Sequence, residues 1–395
     1  MATTTPRAAI VAAARTAIGT ARKGTLANMT ATELATPVVL AAIERSGRDA
    51  KDFDDLVLGE VMQGGGDIAR YVAADLGLIG IPGMAVNRQC ATSLSAIATA
   101  AGQVGAGMSQ AVLAGGTESL STAPVCRKRK AFSTGKDPAD YEDPWFSFSH
   151  PHTDEAPAMD MSITVAHNCA VQYGISRQDQ DEWALRSHQR AVKAIDSRSF
   201  VDEIVPIAVD QPDGSTKPFD VDEHPRRATT IEALAGLNVL HPEIEGFSVT
   251  AGNSSGLNDA AAVVALAVPG SQDALANVLS WASVGVAPKE TGSGPIKAIP
   301  KALALAGLKV ADVALFEINE AFAAQAVACS RAVKLNEDIV NVYGSGISLG
   351  HPIAATGARM VTSAIYELRR RSGGIGVLSM CAGGGMGAAI VIEVD

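Results

Sequence analysis

The chain has 395 residues, of which 47% are hydrophobic but only 4% aromatic, and its formal net charge is −10. That length supports two or three domains with cores built from Ala, Val, Leu and Ile, and the acidic balance argues against non-specific nucleic-acid binding. The five cysteines are odd in number and form no C-x-x-C pair, which points away from a disulfide framework or a zinc site and toward a reducing, cytoplasmic setting.

The start, "MATTTPRAAIVAAARTAIGT", has no apolar core between a basic leader and a cleavage site. "AAIVAAA" (8–14) reads as a buried strand, followed by an apolar helix and the strands "DLVLGEV" (55–61) and "GMAVN" (83–87). Cys90 stands directly after the last of these. Beyond it Leu94, Ile97, Ala98, Ala101 and Val104 fall at helical spacing, and "AVLAGG" (111–116) is the next strand. The alternation predicts helices packed on a largely parallel sheet.

Residues 122–249 differ in character. They hold every histidine except His351 and much of the charge. The basic run Arg127-Lys128-Arg129-Lys130 reads either as a solvated loop or as a neighbour of a phosphate-rich ligand. Ser176 to Asp179 resembles a capping box, with Trp183, Ala191, Val192 and Ile195 on one face of the helix that follows. We expect this region to be an inserted loop domain over the site, with 1–121 and the returning 250–272 as one half of the molecule. The apolar run near 260–270 is too short to span a bilayer.

The remaining residues, 273–395, repeat the plan of the first half. "ATPVVLAAIERSGRDAKDFDDLVLGE" (35–60) and "AIPKALALAGLKVADVALFEINE" (298–320) each read Pro, apolar helix, Gly, acidic turn, strand. "MAVNRQC…AVLAGGTES" likewise parallels "DIVNVYG…IGVLSMCAGGG". Two related halves facing each other place a site at their junction.

Four places carry candidate chemistry. Cys90 is either a small core residue or a nucleophile, since a helix start lowers a thiol pKa. His351, in "SLGHPIAATGARMV", either caps the helix that Pro352 opens or serves as a base kept neutral by the helix dipole. Cys381 opens "CAGGGMG", read either as a Gly-rich hairpin with a core cysteine or as a source of free N–H groups aimed at an oxygen. Asn319, in "EINEAFAAQ", either caps a helix or orients water.

Taken together, Cys90, "NEAF", "GHP" and "CAGGG", in this order across a duplicated α/β chain, resemble the thiolase family over essentially the whole length. "GGTES" (115–119), "VTAGNSSGLNDAAA" (249–262) and "GSGPIKA" (292–298) support the resemblance. It implies an αβαβα layered fold and an acyltransferase that works between CoA and acetyl-CoA, with CoA and acyl-CoA as substrates and no further cofactor or metal. It also implies a homodimer or homotetramer without a membrane span or nucleic acid.

By the same resemblance, Cys90 carries the acyl group, His351 activates it and Cys381 is the second acid/base. The N–H groups of Cys90 and Gly383 form one oxyanion hole, and Asn319, through a held water, forms the other with His351. Substrate contacts fall on Arg226, Leu237, Ala251, Ser255, Met161 and Phe322. Two places depart from the family pattern. "MDMSITVAHNCA" (159–170) carries Asp160, Met161, Ser162 for a glycine and one extra residue in the loop that shapes the acyl pocket, and Ser345 replaces a glycine before "GHP". The substrate chain length therefore stays open between acetoacetyl-CoA and longer 3-oxoacyl-CoAs. A non-catalytic acyl-CoA-binding protein is the reading of another class.

Overall fold

The computed structural model describes residues 6–144, 148–211, 213–271 and 273–395. Nine strands lie in one continuous sheet: β1 (Ala8–Arg15), β2 (Asp55–Gly59), β3 (Gly83–Val86), β4 (Ala111–Ser119), β5 (Asn258–Ala267), β6 (Ala276–Gly285), β7 (Val313–Ile318), β8 (Gly374–Ala382) and β9 (Met386–Val394). Their order is β7-β8-β9-β6-β1-β5-β4-β2-β3, and the short strand Gly19–Thr20 pairs with β5 off this path.

The order shows the duplication directly. From the β1/β6 seam outward, each half places its first strand, then its last, the one before the last, and its second. The two pairings nearest the seam are antiparallel and the β4/β2 and β8/β7 pairings parallel. Where β3 pairs with β2, a single parallel bridge from Val340 to Phe316 stands in the other half. The sheet is thus mixed rather than largely parallel, because the last two strands of each half are antiparallel neighbours. In the second half a tight turn at Gly383–Gly385 joins them. In the first half the corresponding connection, β4 to β5, is the whole stretch 120–257.

The longer helices that frame the sheet are α1 (Ala31–Arg45), α2 (Thr92–Gly105), α3 (Arg177–Asp196), α4 (Gly294–Leu305), α5 (Ala323–Val333) and α6 (Thr356–Arg370). α1 and α4 each contain a proline, Pro37 and Pro300, and each is followed by a 3-10 turn and then by β2 or β7. α2 and α6 share one core with both halves of the sheet: Leu94, Ile97 and Val104 meet Met360, Val361 and Ile365 there. α1 covers the outer face of the first half and α4 and α5 that of the second. The result is five layers, helix–sheet–helix–sheet–helix, with α2 and α6 in the middle. Burying a side chain such as Leu94 or Ile97 is worth about 1.5–3 kcal/mol.

The Ser176 capping box is present, with Asp179 as its partner. α3 runs across both outer faces, with Trp183 in one core and Ala191 in the other. Buried ion pairs fasten the long connection to the sheet: Arg15 Nε donates to Glu203 Oε1 at 2.7 Å and Nη1 to Asp222 Oδ1 at 2.8 Å. Losing one partner of such a buried set leaves an uncompensated charge. Arg127–Arg129 forms an exposed ribbon with Tyr141–Pro144. Among the described residues no helix is long and apolar enough to cross a membrane.

Candidate active site

The N-termini of the two central helices abut. Ala358 N, in the first turn of α6, donates to Ser93 Oγ, in the first turn of α2, at 2.9 Å. The contact needs glycine: a Cβ on Gly357 would lie 2.7 Å from Leu94 N, and one on Gly116 2.1 Å from Ala354 O. Cys90 and His351 precede these two helix starts, so the positive ends of both helix dipoles meet at the same place.

A sharp turn sets Cys90. Val86 ends β3, Gln89 adopts a left-handed φ of 49°, and α2 begins at Thr92. Thr92 Oγ1 locks the turn by accepting from Arg88 N (2.8 Å) and donating to Gln89 O (2.6 Å). A non-glycine residue held there next to a reactive side chain is stored strain of the kind found at nucleophile turns. The thiol pKa differs from the expectation. Burial pushes it up to about 11, although the N–H groups of Gly383 and of Cys90 itself act in the opposite direction and Glu118 adds to the rise. Desolvation outweighs these N–H groups in the free site, so the thiol holds its proton until a base takes it.

His351 lies five residues before α6, which starts at Thr356 rather than at Pro352; Ile353–Ala355 form turns. Gly350, at φ 107°, fits because a Cβ would lie 2.5 Å from Asn258 Cγ, while His351 N donates to Asn258 Oδ1 at 3.0 Å. The imidazole tautomer follows from its partners. Thr356 Oγ1 donates to Pro352 O at 2.8 Å, so at 2.7 Å it accepts from His351 Nδ1. Nε2 is then left with a lone pair, and the group facing it at 3.4 Å is Asn319 Nδ2, a donor. Burial, reinforced by Arg359, lowers the His351 pKa to about 3. The ring is therefore neutral and Nε2 is free to accept a proton.

Asn319 follows β7, and its N–H donates to Ser379 O at 2.9 Å, which places it beside β8. Its Oδ1 is buried without a hydrogen-bond partner among the described residues. Next to it, Glu320 accepts from Trp183 Nε1 (2.8 Å), Ser187 Oγ (2.6 Å) and Asn341 Nδ2 (2.9 Å), tying α3 to the second half. Ser345 accepts from Arg359 Nη2 at 3.0 Å, a contact that a glycine in its place could not make.

Cys381 is buried near the end of β8, and its thiol lies well above the usual range through burial and then the neighbouring thiols of Cys90, Cys329 and Cys169. Around it pack Val165, Ala321, Met161 and Phe322. Gly384 and Gly385 take φ values of 93° and 84°, and Gly385 N donates to Thr291 Oγ1 at 2.9 Å. This turn carries the Gly383 N–H that points at the Cys90 thiol.

Cys90, His351, Asn319, Cys381 and Gly383 thus form one constellation, with Met161 and Phe322 beside it. Ser255 N donates to Ala321 O at 3.0 Å and Ser254 bridges to Phe322, so the 250–256 loop borders the same place. Leu237 rests over Gly252 in that loop, next to the exposed Ala251. Arg226 lies outside the constellation. It is exposed in a depression with His188, Lys193 and Arg227, and its link back is His224, whose ring abuts Gly256. Sequence reasoning missed Thr356, Glu118, His188 and His224. Glu118 accepts from Met62 N, Gln63 Nε2 and Ala354 N, steadying the loop after His351, and burial raises its pKa to about 7. Glu118 lies within the quoted "GGTES", the one signal that could have found it. Among the described residues no group of three or more His, Cys, Asp or Glu side chains is placed to hold a metal.

The family models cover nearly the whole chain. The model of the thiolase N-terminal domain matches residues 8–268 and that of the thiolase C-terminal domain residues 272–394. The chain belongs to the thiolase family. It is 39% identical to an acetyl-CoA acetyltransferase of Pseudomonas aeruginosa, over 98% of this chain and 99% of that one, and 39% identical to a 3-ketoacyl-CoA thiolase of Bacillus subtilis with the same coverage. The crystal structure of the Bacillus anthracis acetyl-CoA acetyltransferase superposes with a TM-score of 0.89 at 40% identity over 100% of both chains. Human mitochondrial 3-ketoacyl-CoA thiolase in complex with CoA gives 0.88 at 36% identity over 98% of both. This thiolase is accordingly an acyltransferase, and its relatives span both the short-chain and the 3-ketoacyl names.

Proposed function

We propose that this thiolase interconverts two acetyl-CoA with acetoacetyl-CoA and CoA, and cleaves longer 3-oxoacyl-CoAs with CoA, through an acyl-Cys90 intermediate. The observation that carries this reading is the meeting of the two helix starts, with the Gly383 N–H on the Cys90 thiol and a free His351 Nε2 in the same constellation. In cleavage, Nε2 takes the Cys90 proton as sulfur attacks the 3-oxo carbon. Charge moves onto that oxygen, which the N–H groups of Cys90 and Gly383 receive, each donor being worth roughly 3–4 kcal/mol in comparable holes. The C2–C3 bond then breaks, and its electron pair passes to the acetyl-CoA enolate.

The Nε2–H formed in the first step now faces the enolate oxygen together with Asn319, and the Cys381 thiol protonates C2. Free CoA gives its thiol proton to the Cys381 thiolate and attacks the acyl-cysteine; the Cys90 sulfur leaves with the proton held on His351 Nε2, and acyl-CoA is released. Condensation runs these steps backward, with Cys381 as the base.

Arg226, Leu237, Ala251 and Ser255 form the CoA-side contacts in this reading, and Met161 and Phe322 the acyl side. The acyl-side wall of Val165, Met161 and Phe322 is apolar and supports admission of chains longer than four carbons. We divide the molecule into 1–121 with 250–272, a covering region 122–249, and 273–395. Strand β3, paired only with β2 among the described strands, supports a homodimer or homotetramer, and the five free thiols suit the cytoplasm. The test is a thiolysis panel of 3-oxoacyl-CoAs from four carbons upward. Turnover across the panel is expected; at least about a hundredfold preference for the four-carbon ester would confine the enzyme to acetoacetyl-CoA.

A further inference from the structure

The extra residue in "MDMSITVAHNCA" has a structural counterpart. Ser162–His167 is a π-helical turn, closed by an Asn168 N to Ile163 O bond. Such a turn absorbs one residue more than an α-helix allows and is uncommon unless its surroundings hold it. Here both ends are fastened to one other segment. At the first end the Asp160 carboxylate accepts from Ser162 N (3.0 Å), Ser162 Oγ (2.6 Å) and Ile163 N (3.4 Å), while its second oxygen meets His241 Nε2 at 2.8 Å. At the other end His167 stacks on Phe247 with ring centroids 5.0 Å apart, and His241 meets the same Phe247 ring edge-on at 5.0 Å.

Between the two fastenings lies the acyl-side wall. Val165 and Met161 pack with Cys381, Ala321 and Phe322. Val165 O comes so near the Pro288–Ser293 turn that a Cβ on Gly292 would lie 2.6 Å from it. A rotation of the π-turn therefore moves the wall beside Cys381 and has no slack on its outer side. Asp160 is fully occupied at the turn and by His241, so it does not charge the pocket.

We propose that the Asp160–His241 pair is a latch that fixes the π-turn and thereby sets which 3-oxoacyl chain this thiolase takes, an inference that rests on the thiolysis reading above. His241 is a positioning residue that acts through Asp160 and Phe247, not one that touches the reacting atoms. The titratable groups that face it are Glu243, through Nδ1 at 2.7 Å, Asp160, and His167 across Phe247. Its pKa is raised from 6.5, first by Glu243 and then, against burial, by Asp160. For Asp160, burial acts upward but is outweighed by Ser162, His241 and the turn N–H groups, so its pKa is lowered. The charged latch is thus complete below pH 6.5 and opens as pH rises through the raised His241 value.

The experiment measures KM and kcat for acetoacetyl-CoA and for 3-oxodecanoyl-CoA near pH 6 and near pH 9 in the wild type, His241→Gln, His241→Lys and Asp160→Asn. Comparing two substrates on one enzyme cancels titrations common to both. The wild-type ratio of the two KM values should change about threefold between the two pH values, the scale of a partly exposed ion pair. His241→Gln and Asp160→Asn should hold the alkaline ratio at both, and His241→Lys should keep the low-pH ratio further into the alkaline range. A pH-independent KM ratio in the wild type, with thiolysis of both esters intact, overturns the latch and leaves the proposed activity standing. A folded enzyme that cleaves no 3-oxoacyl-CoA overturns both.

Discussion

Gly116 is the point at which one methyl group can separate the two reacting side chains. It lies buried on β4, hydrogen-bonded between β5 and β2. A Cβ there would stand 2.1 Å from Ala354 O, in the loop after His351, and 3.1 Å from Ser93 Cβ, at the start of the helix after Cys90. A carbon and a carbonyl oxygen settle near about 3.3 Å, so something must retreat by about 1 Å. The strand is hydrogen-bonded on both sides, so the loop, tied by Ala354 N to Glu118, is the part that yields. A displacement of about 1 Å between reacting groups costs on the order of a hundredfold in rate, while overpacking one methyl costs about 1–3 kcal/mol of stability. Gly116→Ala should therefore fold but acylate from acetyl-CoA about a hundredfold more slowly, read by rapid-quench mass spectrometry beside thermal unfolding. Gly102→Ala is the control: its Cβ would meet only Trp281, at 3.8 Å, and a helical Gly-to-Ala change should add about 0.5–1 kcal/mol. Acylation by folded Gly116→Ala within about threefold of wild type would refute the placement, since 1 Å should cost far more.

Thr356→Val removes the acceptor that holds the His351 Nδ1 proton; acylation should fall by at least about tenfold and Thr356→Ser should restore most of it, because tautomer control sets which nitrogen is the base. Equal loss in both variants would mean a packing effect. Because burial holds His351 neutral down to about pH 3, the acylation rate should stay level between about pH 5 and pH 8, and an acid limb centred near about 6.5 would show an ordinary histidine instead. Because burial pushes the Cys90 thiol up to about 11, inactivation by iodoacetamide should climb about tenfold per pH unit from about pH 7 to pH 9. A plateau below about pH 8 would mean that the helix terminus and the N–H groups outweigh burial.

The elements legible in the sequence were those whose signal is local. Alternation of β-branched runs with Ala-rich stretches marked β1, β2 and β4, and the shared Pro-helix-Gly-acid-strand pattern marked α1/β2 and α4/β7 as copies. The capping box at Ser176 was legible because Ser and Asp at that spacing satisfy the first helical N–H groups. What stayed hidden depends on contacts between distant segments. The Ser93–Ala358 bond joins positions 265 apart in the chain, and the left-handed Gln89 carries no glycine to betray it. The antiparallel neighbours β4 and β5 are separated by the long connection, so the strand runs alone read as a parallel sheet. The helix start after Cys90 was visible, but the desolvation of its thiol depends on the walls of the folded site. The extra residue near 161 could be counted; that it becomes a π-turn tied to His241 could not.

The most direct test of the central claim is to incubate Cys381→Ala and Cys90→Ala separately with acetyl-CoA, digest each at low pH, and map the added acetyl mass. The account predicts an acetyl thioester on Cys90 in Cys381→Ala with no acetoacetyl-CoA formed, because sulfur, base and N–H groups remain while the residue that takes the C2 proton is gone. Cys90→Ala should carry no acetyl group and form no product. Acetylation of another residue, or equal loss of both half-reactions in Cys381→Ala, would contradict the division of labour between the two cysteines.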